Sequence, residues 1–175
     1  MATNVLVLRD GTGGLVVSNL LSREARRRDL QLNVRMIGNS PVHTYQPGLL
    51  FLPFRKPGYR TLADIQRNNR DFVGAGVEYL CETVTEVDTK ARTVTTDKGT
   101  HAYDWLVLAL GCRTVVDAID GLPQRWGRQA HGFYTPDSAL ALADALDRFD
   151  GGDLLVDIDR RDRMAPSMKM FLEPI

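Results

Sequence analysis

The sequence contains little of the chemistry from which metal sites and disulfide scaffolds are built. Only two cysteines and three histidines occur among the 175 residues. Cys81 and Cys112 are far apart and form no CxxC pair, and the histidines show no HxxxH spacing. We therefore predict neither a metal site nor a disulfide framework. Cysteines used in this way are typical of a reducing compartment, so we expect a cytoplasmic protein.

Net charge and long apolar runs are also missing. Lys and Arg together number 22, as do Asp and Glu, so no overall field favours nucleic acid as a partner. We interpret the basic run at residues 23–28 as the solvated face of a helix. No apolar stretch is long enough to span a membrane, and Asp10 interrupts the early apolar run, which argues against a signal peptide.

What is present is typical of a globular protein. Hydrophobic residues make up 43% of the chain and charged residues 25%, and the length suffices for one domain, or for one domain plus part of another. A short apolar strand at 4–8, a glycine turn, a helix at 15–28 and a second strand at 30–37 form a βαβ opening with a right-handed crossover. The prolines and aromatics of residues 41–60 predict an ordered loop with one helical turn at 48–52.

The second half of the chain predicts a change of sheet type. Apolar and polar residues alternate and are interrupted by turn sequences, which indicates a three-stranded β-meander. An unbroken apolar run then indicates another buried parallel strand. We predict an α/β, Rossmann-like FAD/NAD(P)-binding domain, with a parallel sheet and the meander as an insertion, over residues 1–150. Residues 151–175 either begin a second nucleotide-type domain or form a frayed tail. The predicted elements are a helix at 61–72, meander strands at 77–87, 92–96 and 100–103, a strand at 105–110, an irregular segment at 112–133, a helix at 136–149 and a strand at 154–158.

The most informative motif follows the first strand. Arg9-Asp10-Gly11-Thr12-Gly13-Gly14 stands where a dinucleotide-binding fingerprint has Gly-x-Gly-x-x-Gly. In that fingerprint the first glycine permits the tight turn, the second lets the backbone approach a pyrophosphate and the third lets helix and strand pack closely. The N–H groups and dipole of the helix N-terminus then face the phosphates. Gly11 and Gly14 keep two of the three glycines in the expected strand-turn-helix context.

Arg9 takes the place of the first glycine, and its effect has two interpretations. The side chain strains the turn by roughly 1–3 kcal/mol, or the guanidinium meets a phosphate and partly offsets that strain. We expect the charge of Asp10 to point towards the same phosphates and to weaken binding. The acidic residue that usually ends the second strand and holds the ribose is replaced by Asn39 and Ser40, either of which could bond a ribose hydroxyl or form a plain turn.

The order of the motifs carries a family resemblance. The glycine turn is followed by "YQPGLLFLPF", by the meander, by "YDWLVLALG" and by "HGFYTPDSALALADAL". This series resembles the FAD-binding N-terminal part of the pyridine nucleotide-disulfide oxidoreductase family. It is most similar to the sulfide:quinone oxidoreductase and flavocytochrome-c sulfide dehydrogenase group, with type-II NADH dehydrogenases as more distant relatives. The resemblance covers residues 3–158.

The resemblance implies an FAD site, with residues assigned position by position. Gly11, Thr12, Gly13 and Gly14 would lie at the pyrophosphate, and Thr83 and Val84 near the adenine, mainly through their backbone. Gln46 and Pro47 match a loop near the flavin ring, with a rigid surface turn as the alternative. Ala109 and Gly111 match a strand end that lies against FAD, although Leu110 stands where the family has threonine.

The resemblance also implies redox chemistry that this sequence carries only in part. Such enzymes take electrons from sulfide through cysteines facing the flavin and pass them to a quinone or another small-molecule acceptor. Tyr134 stands where many members have one of these cysteines, and Cys112 is the one candidate here. A lone cysteine cannot complete a two-thiol relay, so a structural role is the alternative for Cys112. Cys81 is predicted to lie in the core.

Two functions follow from these observations. The first is an FAD-binding oxidoreductase resembling sulfide:quinone oxidoreductase. We expect this chain to be incomplete, with its activity left open, because the family has a second nucleotide-type domain and a C-terminal membrane-facing part. We then expect peripheral contact with the inner face of a membrane through that part, and a homodimer or a complementing chain to cover the open sheet. The second is a non-catalytic α/β remnant that binds a nucleotide or acts as a partner module.

Overall fold

The computed structural model describes residues 2–158 and 168–173, and the chain divides into two compact units. The first comprises Met1–His43 and Arg67–Cys112, and the second comprises Thr44–Gln66 and Arg113–Ile175. The predicted domain boundary at residue 150 stays a prediction.

Strands outnumber helices throughout the described residues. In chain order the strands are β1 (Thr3–Leu8), β2 (Leu32–Gly38), β3 (Val42–Thr44), β4 (Gln66–Asn68), β5 (Val77–Cys81), β6 (Val84–Asp88), β7 (Thr93–Thr96), β8 (Thr100–Ala102), β9 (Trp105–Leu108), β10 (Ala130–Gly132), β11 (Asp153–Ile158) and β12 (Met168–Glu173). The α-helices are α1 (Thr12–Arg27), α2 (Leu62–Ile65), α3 (Leu122–Arg125) and α4 (Pro136–Asp147). Turns of 3-10 helix lie at Gln46–Leu50, Leu52–Phe54, Asn69–Phe72 and Val116–Ala118.

A four-stranded parallel sheet forms the first unit, in the order β5-β2-β1-β9. β1 is central, with Val5 opposite Val34 on β2 and opposite Trp105 on β9. Its alternate side chains enter two separate cores, because successive residues of a strand point to opposite faces. Val5 and Val7 pack with Leu15 of α1, whereas Leu6 and Leu8 pack on the other face with Val94 of β7. The predicted βαβ opening is confirmed, and both faces of its central strand are buried as in other parallel sheets.

The meander is confirmed, but its predicted first strand is wrong. Residues 77–87 form two strands: β5 joins the parallel sheet beside β2, and β6 begins an antiparallel sheet in the order β6-β7-β8. The division lies at Glu82 and Thr83. The backbone N–H of Thr83 donates to the Asp97 carboxylate and its carbonyl accepts from the Asp97 N–H, so the chain leaves one sheet and enters the other at this point.

The predicted helix at 61–72 is also wrong beyond its first turn. The reciprocal Thr61–Asp64 capping box starts α2 as expected, yet α2 ends at Ile65. The Asn68 side chain then accepts the backbone N–H of Arg70, and the buried Asn69 side chain bonds elsewhere in the unit. Asparagine side chains that bond locally in this way compete with helical hydrogen bonds.

The second unit has its own apolar core. Leu49, Leu52 and Ile65 pack against Ala139 of α4. The 3-10 turns at Gln46–Leu50 and Leu52–Phe54 confirm the helical turn predicted within the proline-rich loop. α4 confirms the helix predicted at 136–149, and Thr135 caps it by accepting the N–H of Ser138.

The second unit also contains a small antiparallel sheet, in the order β10-β12-β11. β11 confirms the strand predicted at 154–158. The predicted fraying or second domain at 151–175 falls in part on residues 159–167 and 174–175, which lie outside the described residues.

Candidate functional site

The site is built around the turn that follows β1. Arg9 has a φ of +79°, a left-handed conformation that favours glycine and costs other residues free energy. The prediction that position 9 requires glycine-like backbone angles is confirmed. The Arg9 N–H donates to the Ile37 carbonyl at 2.8 Å, so the turn stays attached to β2.

Gly14 allows α1 to approach this turn closely. A Cβ at residue 14 would overlap the carbonyl oxygen of Arg9 and would touch the sulfur of Met36. The third glycine of the motif therefore serves the helix–strand packing expected of it.

The first turn of α1 presents free backbone donors. The N-cap is Gly11, with no side-chain cap, and no acidic residue lies in the first helical turn. The first intrahelical bond runs from the Leu15 N–H to the Gly11 carbonyl. Within the described part of the chain, no hydrogen bond is found for the N–H groups of Thr12, Gly13 and Gly14. Nothing lies within 4 Å of a Cβ placed on Gly11, and Gly11, Thr12 and Gly13 are exposed whereas Gly14 is buried.

Asp10 corrects one expectation from the sequence. Its side chain does not point along the open approach: it is buried, and its Oδ2 accepts hydrogen bonds from the Tyr79 hydroxyl at 2.7 Å and the Asn69 amide at 2.8 Å. The predicted projection of this carboxylate towards the phosphates is therefore wrong. A Cβ at Gly38 would overlap the Asp10 carboxyl group, so Gly38 makes the room for this burial.

A cavity of about 180 Å³ opens at the carboxyl ends of β1, β2 and β5. Three of the predicted site residues, Asn39, Thr83 and Val84, line it together with Arg9, and Asn39 is exposed. Ser40 does not line it, because its hydroxyl bonds the backbone of Val42. The remaining lining residues are Leu8, Ile37, Gly38, Glu82 and Leu110.

Glu82 places an acidic side chain at this cavity, and its carboxylate is hydrogen-bonded within the protein. Its carboxylate accepts from the Thr96 hydroxyl at 2.7 Å and lies 2.8 Å from Nε2 of His101. The Thr96 hydrogen bond, followed by His101, holds the pKa of Glu82 below its ordinary range. The N–H of Thr83 donates to the Asp97 carboxylate, and the Thr83 carbonyl accepts from the Asp97 N–H.

The other predicted residues lie in three places. Ala109 adjoins the glycine turn, with its Cβ 3.8 Å from the position of a Cβ on Gly13. Gly111 is exposed with a φ of +71°, and exposed Cys112 ends the first unit. Gln46 and Pro47 are exposed on the 3-10 turn of the second unit. Cys81 lies partly buried against the β1–α1 core, as predicted.

A second cavity of about 200 Å³ lies at the opposite ends of the strands. Asn4, Asn33 and the Arg35–Glu78 ion pair border it. Ligands of open α/β sheets bind outside the carboxyl ends of the strands, so the cavity beside Arg9 is the candidate site. Of the glycine motif only Arg9 lines this cavity. The unpaired N–H groups that follow it in the chain, at the N-terminus of α1, are donors of the kind that bind a diphosphate.

Sequence reasoning missed the buried residues that support the turn. Asn69 and Tyr79 are distant from Asp10 in sequence, and only their burial and geometry reveal the contact. Glu82 carried a detectable signal, since an acidic residue directly after a parallel strand lies at the ligand-binding edge of the sheet.

Comparison with known proteins confirms the resemblance predicted from the motifs. Over 121 residues the chain is 28% identical to the mitochondrial sulfide:quinone oxidoreductase of Mus musculus, which covers 69% of this chain and 25% of that protein. The chain therefore spans about a quarter of the length of this relative. No family model matches the chain.

Solved structures confirm the Rossmann-like fold of FAD/NAD(P)-binding oxidoreductases. The sulfide:quinone oxidoreductase of Aquifex aeolicus matches with a TM-score of 0.64 and 25% identity, over 85% of this chain and 32% of that one. NDH2 of Plasmodium falciparum matches with a TM-score of 0.61 and 21% identity, over 85% and 30%. Among the described residues, no helix combines the length and the apolar character that crossing a membrane requires.

Proposed function

We propose that this chain binds FAD through the adenosine diphosphate part of the cofactor, as the N-terminal part of an oxidoreductase resembling sulfide:quinone oxidoreductase. The observation that carries the proposal is the open glycine turn. Three N–H groups at the start of α1 have no hydrogen-bond partner among the described residues, and Gly11, Thr12 and Gly13 are exposed. A helix N-terminus of this kind favours a diphosphate.

Each predicted residue has a part in this proposal. The backbone of Gly11, Thr12, Gly13 and Gly14 would hold the diphosphate, and Asn39 would bond the ribose. The cavity walls formed by Thr83 and Val84 would enclose the adenine. Ala109 and Gly111 would border the cofactor, and Ser40 would support the turn after β2 through its backbone. For Gln46 and Pro47, a place near the flavin ring is proposed from the resemblance alone. Bound FAD would supply hydride or electron transfer, while the chain would position it.

Arg9 has a favourable role in the same proposal. Its side chain is exposed, and the residue lines the cavity beside the glycine turn. A guanidinium here adds a positive charge close to the diphosphate, and arginine suits phosphate geometry better than lysine does. The Asp10 side chain points into the interior, where it accepts from Tyr79 and Asn69, and not along the open face of the turn.

The redox partners are proposed from the relatives. The matched region spans about a quarter of the relative's length. For the whole protein we propose a quinone or another small molecule as electron acceptor, and a peripheral contact with a membrane. We also propose a homodimer or a complementing chain. Cys112 is the cysteine proposed to face the flavin. A nucleic-acid partner is not part of the proposal.

A second candidate function is a nucleotide-binding module without catalysis. One observation favours it: a side chain with a left-handed backbone occupies position 9, where glycine costs nothing. Such a module would bind the adenosine diphosphate part as well as FAD itself, and would transfer no electrons.

Visible absorbance during titration with FAD tests the proposal, with ADP and FMN as competitors. We expect FAD to bind with a perturbed flavin spectrum, ADP to displace it and FMN to leave it bound, because the binding energy comes from the ADP part. Reduction of bound FAD by sulfide would separate the oxidoreductase from the non-catalytic module. If neither FAD nor ADP bound, both the oxidoreductase and the nucleotide-binding module would be ruled out.

A further inference from the structure

The buried carboxyl group of Asp10 has no part in the proposed contacts to FAD, yet two side chains of the first unit donate hydrogen bonds to it. It is 8% exposed. Both the Tyr79 hydroxyl and the Asn69 amide donate to its Oδ2. No lysine or arginine within the described residues forms an ion pair with it. A buried carboxyl is costly unless it is hydrogen-bonded, so the environment is built to hold this group.

The same two donors also reach the end of β2. The Tyr79 hydroxyl lies 2.8 Å from the carbonyl oxygen of Ser40, and the Asn69 amide donates to that oxygen at 2.9 Å. The single hydroxyl hydrogen is shared between its two acceptors, while the amide has one hydrogen for each. The turn after β1 and the turn after β2 are thus tied together by two side chains from elsewhere in the unit.

The packing around this network leaves the turn one conformation. Gly38 admits the Asp10 carboxyl group where a Cβ would overlap it, and Gly14 fits against the carbonyl oxygen of Arg9. The Arg9 N–H is bonded to Ile37. Arg9 is therefore held on both sides, and its left-handed backbone is the conformation that joins these fixed points.

We propose that Asp10 is a positioning residue of the nucleotide site: its buried bonds to Tyr79 and Asn69 hold the turn in the shape that a first glycine normally permits. The network fixes the residue after Arg9 and so directs the N–H groups of residues 12–14 to one point. It also fixes Ser40, and with it the course of Asn39 along the cavity. The part that concerns nucleotide rests on the proposed function, whereas the part that concerns the turn does not.

Three variants separate the hydrogen bonds from the volume of the side chain. Asp10→Asn keeps an oxygen that accepts from both donors. Asp10→Leu keeps the same branched arrangement of heavy atoms, with larger methyl groups in place of the oxygens, and accepts from neither donor. Tyr79→Phe removes a single hydroxyl and creates little cavity, so it keeps the test informative should Asp10→Leu fail to fold. Burial and the Asp10 hydrogen bond raise the pKa of Tyr79 above its ordinary value, so this hydroxyl retains its proton at neutral pH.

Hydrogen exchange in the nucleotide-free full chain tests the positioning role. For Tyr79→Phe and Asp10→Leu we expect exchange of the Arg9 and Leu15 amides to rise roughly tenfold, from the loss of one or two buried hydrogen bonds. Amide exchange in the β7–β8 hairpin should not change in these variants. In Asp10→Asn the Arg9 and Leu15 amides should exchange as slowly as in the wild type. Unchanged exchange at the turn, a uniform rise throughout the unit, or Asp10→Asn behaving like Asp10→Leu would each overturn the proposal.

Titration of the same variants with FAD then separates the two proposals. If the wild type binds FAD, we expect roughly tenfold weaker binding for Tyr79→Phe and near-normal binding for Asp10→Asn. Equal affinity in all variants would overturn the positioning role while the FAD site stands. Failure of the wild type to bind would end the proposed function, and the exchange result alone would then decide the role of Asp10.

Discussion

The carbonyl oxygen of Arg9 occupies the space that a Cβ at Gly14 would need. Backbone atoms cannot rotate away as a side chain can, so any side chain at residue 14 must push α1 off β1. We expect Gly14→Ala to lower the free energy of unfolding by about 1–3 kcal/mol, as overpacking does elsewhere. Urea unfolding followed by far-UV circular dichroism measures this change.

Gly13→Ala is the matched control for that variant. It also lies in the first turn of α1, but the nearest atom to its added Cβ would be that of Ala109, at an ordinary 3.8 Å. We expect a change of less than about 1 kcal/mol, because alanine is the better helix former and no contact is strained. Equal losses for both variants would show that the close approach at Gly14 does not limit packing.

Replacing Arg9 by glycine relieves the backbone at the turn. The φ of +79° is strained for arginine and free for glycine. We expect Arg9→Gly to raise the free energy of unfolding by about 1 kcal/mol, and to weaken FAD binding where the guanidinium contributes. Arg92→Gly, at a φ of +54° in the meander, should give a similar stability gain without any effect on FAD.

The effect on FAD decides between the two interpretations of Arg9. Tighter FAD binding by Arg9→Gly would mean that strain, and not the charge, dominates at this position. If Arg9→Gly lowered the free energy of unfolding while Arg92→Gly raised it, the proposed backbone strain at position 9 would be contradicted. Pairing this change with Asp10→Gly would confound the result, since it would leave Tyr79 and Asn69 without their shared acceptor.

Tyr79 makes stability depend on pH at the alkaline end. Burial, followed by the hydrogen bond to Asp10, raises the pKa of its hydroxyl in the folded state above the ordinary value of 10.0. Below pH 10.0 the Tyr79 hydroxyl is protonated in the folded and the unfolded chain, and its stabilising contribution is fully present. Above this pH the unfolded chain releases the hydroxyl proton before the folded chain does, so the free energy of unfolding falls as the pH rises. We expect the free energy of unfolding of the wild type to fall more steeply above about pH 10 than that of Tyr79→Phe. Parallel curves for the two proteins would contradict this assignment.

The sequence predicted the parts of the fold that depend on local pattern. The apolar run of β1, the glycine turn and the periodic helix α1 lie where their patterns indicated, since turn chemistry and periodicity are local. The need for glycine-like angles at Arg9 was also predictable from the motif. The division between β5 and β6 was not, because it depends on Asp97 bonding Thr83 across a hairpin.

The direction of the Asp10 side chain could not be predicted for a related reason. Its charge suggested repulsion of phosphates, whereas Gly38 admits it to the interior and Tyr79 bonds it there from 69 residues away. Nor did the helical composition of residues 61–72 reveal that Asn69 would lie outside a helix and bond to Asp10. Contacts between residues so distant in sequence are set by the fold and not by a local pattern.

The most direct test of the central claim is FAD binding by two variants of Gly11, the open N-cap of α1. Gly11 has an extended backbone, with a φ of −71°, and no atom lies near its missing Cβ. Serine and aspartate are both good N-cap residues, so Gly11→Ser and Gly11→Asp should both fold with unchanged or slightly higher stability. Only aspartate adds a negative charge where the diphosphate would lie. We expect Gly11→Asp to lose at least roughly tenfold in affinity for FAD relative to Gly11→Ser; equal affinities in two well-folded variants would contradict a diphosphate site at this turn.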